Sequence, residues 1–337
     1  MGLRRRLGRA VLGATLSLVA PAATRAQDAP RPPDASAIRL RYAWPDGLSA
    51  IVEVTRTRER EAEGTRELTE SRARFRMTVE PHPEGKRVRH DAFELPGAAP
   101  DRAPGQLQFD LRSFFPSFLV TDRGAFGNVE PLGATRLELL RILRGLPVEN
   151  TEAERLLQPI VSRPRMLAAS ADHWRTLVWL WRDQGFEPGG VYDFEDAQVL
   201  PLFGGLPMPA VFHTALRRRT SCEPGGSTLD CVELEMTSEP TPDGEASMRA
   251  QLAARPDARV EGRPVRSARL ETGLLLVTEP ASLIPHQLTT LRIVSQTVEG
   301  LGLLRLVEKA AYEFHYASEP PGPATTPAAP ETPGTPN

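Results

Sequence analysis

Cys222 and Cys231 are the two cysteines of the chain, and their thiols could form a redox centre, part of a metal site or a disulfide. A redox pair has the spacing C-x-x-C and a structural zinc site needs four ligands, so neither fits this pair. The segments on either side read as strands, and residues 223–228 between them are turn-forming. The pattern predicts a disulfide that joins the two strands of a β-hairpin near their ends.

Six histidines are the other side chains with a capacity for acid–base or metal chemistry, and they share no metal-ligand spacing. His90 and Asp91 are adjacent, but neighbours in a strand point to opposite faces and cannot readily share a proton. The motifs of serine hydrolases, zinc proteases, phosphate-binding loops and dinucleotide-binding folds do not occur in the sequence. We therefore expect no catalytic residue, no metal and no cofactor. The basic run at residues 217–219 is interpreted as a solvated hairpin rather than an anion site.

Residues 1–26 have the layout of a secretory signal peptide. Four arginines precede an apolar stretch of about residues 10–22, which is too short to span a bilayer, and residues 24–26 offer small side chains at the cleavage positions. No cysteine follows the cleavage point, and no other window is long and apolar enough for a membrane span. We expect an exported protein, periplasmic or extracellular, that is not a lipoprotein and has no transmembrane anchor. An oxidising compartment also favours the disulfide.

The charge balance bears on the partners. The chain has 41 basic and 43 acidic side chains, and the removal of residues 1–26 takes away five arginines and no acid. The mature chain then carries 36 basic and 43 acidic groups, a net charge of −7. A negative net charge argues against a nucleic-acid partner and against electrostatic adhesion to an anionic membrane.

Both ends of the mature chain are polar and rich in proline. Residues 27–36 form a short lead-in, and residues 317–337 form a tail with hardly an apolar side chain. Segments of this composition bury too little surface to offset the entropy of ordering, so we predict that both are disordered. The tail is either a passive spacer or a partner-binding segment.

Apolar residues alternate with period two in residues 37 to about 130 and again in residues 188–316. Such alternation predicts antiparallel strands with one buried face. Residues 131–184 have helical spacing instead, and a further helix is predicted at about 242–254. We predict an α+β fold, mostly antiparallel β, in which one domain over residues 37–316 forms a long-stranded curved sheet or half-barrel with a central helical insertion.

Two apolar features are candidates for a ligand-facing surface or a lid. Trp174 and Trp181 lie seven positions apart in the predicted helical insertion, where they could line a cavity or fill the core. Residues 200–212 are apolar, rich in glycine and proline, and follow neither period, which suggests a loop. That loop would carry Phe203, Leu206 and Met208, either exposed as a lid or contact patch or folded back over the core.

The order of elements from about residue 37 to residue 316 resembles the curved half-barrels of bacterial lipoprotein carriers of the Lol type. It also resembles several secreted bacterial families without an assigned function. In the carriers, a concave apolar face under helices holds acyl chains, and the resemblance implies such a face here. Fold analogy alone does not establish function.

Three classes of function follow from these observations. The first is a non-enzymatic extracytoplasmic protein that binds an apolar ligand or lipid. The second is a structural or assembly factor of the bacterial envelope, which would act through contacts with an envelope protein. The third is an enzyme, which would require convergent titratable groups in a cleft; the sequence offers this class the least support.

Overall fold

The structure is a computed structural model that describes residues 37–97, 104–146, 149–200, 206–255, 257–260 and 262–316. The predicted signal peptide, lead-in and tail lie outside the described residues, as does Phe203.

Antiparallel strands make up most of the described chain, as the alternation predicted. The strands are β1 (Ile38–Arg39), β2 (Ser49–Ala62), β3 (Thr65–His82), β4 (Gly85–Glu94), β5 (Phe118–Val120), β6 (Phe126–Val129), β7 (Gly185–Phe186), β8 (Val191–Leu200), β9 (Leu206–Thr220), β10 (Cys231–Pro240), β11 (Arg259–Val260), β12 (Arg263–Thr278), β13 (Pro285–Val298) and β14 (Gly302–Tyr316). The helices are α1 (Pro104–Leu111), α2 (Gly133–Arg144), α3 (Asn150–Leu157), α4 (Arg163–Trp174) and α5 (Pro242–Ala253), and a π-helical turn (Arg175–Trp179) continues α4.

One large open sheet contains most of these strands. Its order is β6-β5-β4-β3-β2-β14-β13-β12-β10-β9-β8, β11 pairs with β12, and β1 and β7 form a separate pair. All pairings are antiparallel, and most join strands that are neighbours in sequence. The exception that links the two halves of the chain is β2, which pairs with β14. This pairing places residues from near the start and the end of the domain side by side in the middle of the sheet.

The predicted disulfide is confirmed at the end of the β9–β10 hairpin. Cys222 and Cys231 are bonded, and Cys231 lies opposite Thr220 in the register. The predicted helix after Thr241 is also confirmed as α5, whose first turn is capped by the Thr241 hydroxyl, which accepts a hydrogen bond from the Gly244 amide at 2.9 Å.

The structure differs from the expected loop at residues 200–212. β8 continues to Leu200 and β9 begins at Leu206, directly opposite it. Pro207 and Pro209 are tolerated because β10 ends at Pro240, opposite Ala210, so they have no strand partner on that side. Their carbonyls accept hydrogen bonds from α5 and its cap instead. The two prolines lie at exposed positions of β9, between buried Leu206, Met208 and Ala210. Because proline is unusual inside a strand, the period-two pattern was not recognised from the sequence.

The face of the sheet that contacts the helices, here called the inner face, carries two hydrophobic cores. The main core packs beneath the helices of residues 104–179 and includes Trp44, Phe75, Trp174, Trp181, Leu276 and Tyr312. The second core packs against α5 and includes Leu206, Met208, Met248, Leu252, Leu270 and Val294. The two cores occupy opposite ends of the same strands, and what lies between them is polar.

Candidate functional site

A row of polar side chains crosses the inner face between the two cores. The register places Arg58 of β2 opposite Glu308 of β14, and Glu308 opposite Arg292 of β13. Thr272 of β12 lies opposite Arg292, and Ser238 of β10 lies opposite Thr272. Residues directly opposite each other in antiparallel strands share a face. These five residues, the polar row, therefore run in one line across five adjacent strands.

The row interrupts strands that are otherwise apolar on this face. On β14, Ala310 belongs to the main core and Leu306 packs against the second, with Glu308 between them. On β13, Arg292 is the inward-facing residue directly before Val294, and Val294 belongs to the second core. Charged groups in such positions lose hydration and need compensation from partners. The row is therefore the boundary at which neither hydrophobic core closes over the sheet.

Arg58 is the arginine of the row with a clear partner. Its Nε and Nη2 donate hydrogen bonds to Glu308 Oε1 at 2.9 and 2.7 Å. Its guanidinium also lies over the Phe109 ring of α1, with Cζ 4.3 Å from the ring centroid, and Arg56 contacts the same ring at 5.1 Å. Phe109 is 1% exposed although it belongs to neither hydrophobic core. The two arginines thus help to cover an aromatic ring at the edge of the row.

Three further arginines complete what we call the arginine cluster. Its members are Arg56, Arg58, Arg112, Arg165 and Arg292, all of which act electrostatically on one another or on Glu308. Arg112 follows α1 and Arg165 lies in the first turn of α4, so the helices supply the second side of the cluster.

The electrostatics of the cluster reflect an excess of positive charge. Desolvation and the charges of Arg165, Arg58 and Arg56 lower the pKa of Arg112 to about 10, although Glu308 opposes this. Burial raises the pKa of Glu308, but the charge and hydrogen bonds of Arg58 and the charges of Arg56 and Arg292 outweigh it, so that the pKa is lowered. The charges of Arg56, Arg58 and Arg292 therefore act on the ionised Glu308, and Arg112 and Arg165 add further positive charge to the cluster.

Several of these guanidinium groups have unused hydrogen-bonding capacity. Within the described ranges, Arg56, Arg112 and Arg292 form no ion pair or hydrogen bond through their side chains. A guanidinium presents five donors in a planar fork that fits carboxylate and phosphate oxygens. A cluster with this donor surplus and positive excess is suited to bind an anionic group.

The other end of the row leads to an aromatic pair. The hydroxyl oxygens of Ser238 and Thr272 lie 2.6 Å apart. Ser238 lies opposite Phe212 of β9, which in turn lies opposite Phe194 of β8. The two phenyl rings stack with their centroids 5.1 Å apart, and Phe194 is 39% exposed. The inner face therefore changes from guanidinium groups through hydroxyls to a solvent-accessible aromatic side chain.

Gln198 ties the outer strand to this part of the inner face. Its Oε1 accepts a hydrogen bond from Ser238 at 3.0 Å, and its Nε2 donates to the Leu270 carbonyl of β12 at 2.8 Å. β9 and β10 lie between β8 and β12 in the sheet order. The Gln198 side chain thus connects β8 to β10 and β12 on the inner face.

Of the residues proposed from sequence as ligand-facing, the four that the structure describes occupy the cores. Trp174 and Trp181 are completely buried, and their indole nitrogens donate to the carbonyls of Gly124 and Thr176 at 2.9 and 2.8 Å. Leu206 and Met208 are buried in the second core beside α5. The structure brings Leu206 and Met208 together, but it separates them from the two tryptophans.

The buried histidines are not arranged for acid–base chemistry near neutral pH. Burial lowers the pKa of His90 to about 4 and, with a contribution from His90, that of His173 to about 3. His90 Nδ1 lies 3.2 Å from the Pro116 carbonyl oxygen, and since that oxygen only accepts, Nδ1 carries the proton. Asp91 points away and pairs with Arg76 at 2.8 Å and Arg89 at 2.5 Å. The adjacent His90 and Asp91 thus have separate partners, as expected for strand neighbours.

Sequence reasoning did not identify the arginine cluster, although it contained a usable signal. Val52 and Val54 are inward-facing residues of β2. The next two inward-facing positions are Arg56 and Arg58. Glu308 shows the same departure within the alternation of β14. A search for charged residues at inward positions would have identified Arg56, Arg58 and Glu308, but not their alignment with Arg292 across the sheet. Arg112 and Arg165 required the tertiary structure, because helix contacts bring them to the cluster.

No described helix has the length and apolar character needed to cross a membrane. The chain matches no known protein-family model, and it has no significant similarity to a curated protein.

Proposed function

We propose that the chain is an exported, non-enzymatic extracytoplasmic protein that binds an amphiphile, such as a lipid, through an anionic head group. The observation that carries the proposal is the polar row, in which Arg292 has no ion-pair partner among the described residues, and which leads at its other end to the exposed ring of Phe194. The head group would bind at the arginine cluster, and the apolar part would extend across the row toward β8.

The head-group half of the proposal rests on charge and geometry. A phosphate or carboxylate accepts several charge-assisted hydrogen bonds at once, which are stronger than neutral ones. Arg292 on the sheet and Arg112 after α1 approach the cluster from two sides, and neither has a carboxylate partner among the described residues. An anion between them would supply the missing acceptors and would reduce repulsion among the five cations.

The apolar half rests on the direction of the row. Four strand intervals separate Arg292 from Phe194, which corresponds to roughly 19 Å at the usual strand spacing. β8 is the last strand of the sheet order, so the Phe194 end is reached from solvent. An extended apolar chain of that length would contact the Ser238 region and the Phe212–Phe194 pair.

We include in the proposal that the sheet curves as a half-barrel around the central helices. The hydrogen bonds from Gln198 on β8 to Ser238 on β10 and to the Leu270 carbonyl on β12 support curvature. So does the approach of Arg175 in the π-helical turn to Asp196 of β8, with Nη2 and Oδ2 3.9 Å apart. Curvature of this kind would make the polar row the floor of a cleft.

The experiment compares two amphiphiles of equal chain length, a fatty acid and the corresponding fatty alcohol, by calorimetric titration of the mature protein. We expect the acid to bind at least about tenfold more tightly, because the carboxylate can be held by guanidinium groups. Arg292→Gln should weaken binding of the acid by about tenfold and leave binding of the alcohol nearly unchanged.

Arg305→Gln is the matched control, because Arg305 lies on the opposite face of β14. Equal affinity for acid and alcohol, or an equal loss in Arg292→Gln and Arg305→Gln, would contradict the proposal. If the acid and the arginine variant behave as expected, native mass spectrometry of protein purified from its own host would identify the natural ligand.

The second candidate, an assembly factor of the envelope, is favoured by one observation on β8. This outermost strand exposes 66% of Val191 and 60% of Val199, and unpaired strand edges with apolar side chains invite pairing with another chain. Val199→Lys should abolish such a contact in a pull-down and leave binding of the fatty acid unchanged. A pull-down contact that survives Val199→Lys, together with weaker binding of the fatty acid, would favour the amphiphile-binding function.

A further inference from the structure

The disulfide lies beside a histidine from a distant part of the sequence. The sulfurs of Cys222 and Cys231 and one ring nitrogen of His286 all lie within 4.8 Å of one another. The sheet register explains this proximity. Val232 on β10 lies opposite Thr278 on β12, and Thr278 lies opposite Pro285 on β13, so Cys231 and His286 meet at the same end of the sheet.

The His286 ring is held in place by two neighbours. Its Nε2 lies 3.2 Å from Glu279 Oε1, and Ser282 donates a hydrogen bond to the other oxygen of that carboxylate at 2.7 Å. On another side, the Tyr316 ring packs edge-on against the imidazole with the centroids 5.3 Å apart. Because Glu279 engages Nε2, Nδ1 is the ring nitrogen left for a cation, and metal-ligating histidines usually bond their other nitrogen to a carboxylate or carbonyl.

We infer that reduction of the disulfide converts this cluster into a binding site for a thiophilic divalent cation, with zinc as the best match. The ligands are the two thiolates and the imidazole, the fourth position is taken by water, and Glu279 orients His286. Two sulfurs and one imidazole are ligands that zinc prefers in proteins. This inference concerns a different part of the molecule from the amphiphile and does not depend on it.

An external dithiol is the reductant for the disulfide. The dithiol transfers two electrons and two protons to the Cys222–Cys231 bond, which becomes two thiols, and the dithiol itself becomes a disulfide. Each thiol then loses its proton as it binds the cation. In the reverse exchange, a small-molecule disulfide accepts the two electrons and two protons from solvent and becomes a dithiol, the Cys222–Cys231 bond forms again and the metal is released. The same pair therefore serves alternately as a cross-link and as metal ligands.

The fold allows the sulfurs to separate without moving the sheet. Cys231 is completely buried and begins β10, and His286 belongs to β13, so these two ligands are fixed by the strand ladder. Cys222 lies in the connection of residues 221–230, outside both strands. Once the bond is broken, the connection can adjust while the other two ligands stay in place.

The test is a titration with Co²⁺ in the absence of oxygen, using the full mature chain reduced with a phosphine. We expect one equivalent to bind with the absorption of thiolate-to-cobalt charge transfer and to be displaced by Zn²⁺. The oxidised protein should show no such absorption. His286→Ala should weaken Co²⁺ binding by at least about tenfold, and Glu279→Gln by about tenfold, which is the usual loss when a partner of a ligand is removed.

His315→Ala is the control, because His315 is exposed on β14 and absent from the cluster. The near-ultraviolet circular dichroism of the reduced protein is recorded with and without Zn²⁺. If reduction unfolds the chain, Zn²⁺ should restore the native signal in the wild type and in His315→Ala but not in His286→Ala. The inference is overturned if reduced wild type and His286→Ala bind Co²⁺ equally well, or if the reduced protein shows no thiolate absorption.

Discussion

The arginine cluster and the histidines of the main core are two places where the inner face holds titratable side chains, and they meet the cost of burial differently. His90 and His173 are enclosed by aromatic rings, with His173 stacked on Phe115 at 4.3 Å, and burial lowers their pKa values so that they stay neutral. The arginines remain charged and keep access to solvent, to Glu308 and to the Phe109 ring.

The difference follows from the chemistry of the two groups. An imidazole can give up its proton at modest cost, so a packed aromatic core can accept it. A guanidinium does not lose its proton in proteins, so a strand that places one inward must leave the hydrophobic core open at that point. The histidines therefore pack within the main core, whereas the arginines form a polar strip between the two cores, where we propose that the head group binds.

Acidification should cause the largest change in the free energy of unfolding, and it should act on the histidine region. The folded pKa values of about 4 and about 3 lie below the unfolded value of about 6.5, so the unfolded chain binds more protons below pH 6.5. The stability that the neutral histidines contribute is complete above pH 6.5 and is lost as the pH falls toward the folded values. Between pH 6.5 and 5 the loss should be about 3 kcal/mol for the two histidines together.

Urea denaturation at pH 6.5 and pH 5 measures this loss. In His173→Phe, whose ring can keep the stack on Phe115, the difference between the two pH values should fall by about half. His315→Ala, at an exposed position, should keep the full difference. An unchanged pH dependence in His173→Phe would show that His173 is not buried in its neutral form.

Replacement of Glu308 should cause an intermediate change in the free energy of unfolding. Stability and ligand affinity should change in opposite directions in this variant. Glu308→Gln removes the carboxylate that pairs with Arg58 and leaves the five guanidinium groups to repel one another. We expect a loss of about 2 kcal/mol in the free energy of unfolding, because the pair is partly buried and one partner remains charged. Affinity for the fatty acid should rise, because the protein no longer competes for its own arginines.

Glu313→Gln is the matched control, since Glu313 lies on the other face of the same strand. Urea denaturation and calorimetry on both variants provide the two readouts. A fall in affinity for the fatty acid in Glu308→Gln would mean that the carboxylate shapes the site and does not merely occupy it.

Much of the fold could be predicted from the sequence, because local patterns specify local structure. The alternation of apolar residues predicted the antiparallel strands, and the turn residues between Cys222 and Cys231 predicted the disulfide-linked hairpin. The prolines at positions 207 and 209 misled, because their effect depends on whether a neighbouring strand is present, and only the tertiary structure shows that β10 has ended there.

The site could be predicted only in part, for a related reason. Arg58, Arg292 and Glu308 depart from apolar alternation, and that departure is visible in the sequence. Their alignment into one row depends on the pairing of β2 with β14, which joins segments about 250 residues apart. The contribution of Arg112 depends on how helices pack, and no local pattern specifies that packing.

Sulfate should have the smallest effect, and it should act on the arginine region alone. A tetrahedral anion that fits between guanidinium groups binds the folded chain and not the unfolded one, and so raises stability by mass action. At a few millimolar sulfate, with ionic strength kept constant by chloride, we expect a stabilisation of about 1 kcal/mol, or a rise of about 2 °C in the melting temperature. General exclusion of sulfate from protein surfaces is small at that concentration, so the rise reports binding. Arg112→Gln should remove most of it, because Arg112 has no carboxylate partner among the described residues and its pKa is lowered by desolvation and by the neighbouring cations. Arg305→Gln, on the opposite face, should keep the full rise. His90 and His173 stay neutral near pH 7, so His173→Phe should respond to sulfate as the wild type does. A rise of equal size in Arg112→Gln would remove the distinction between the two regions.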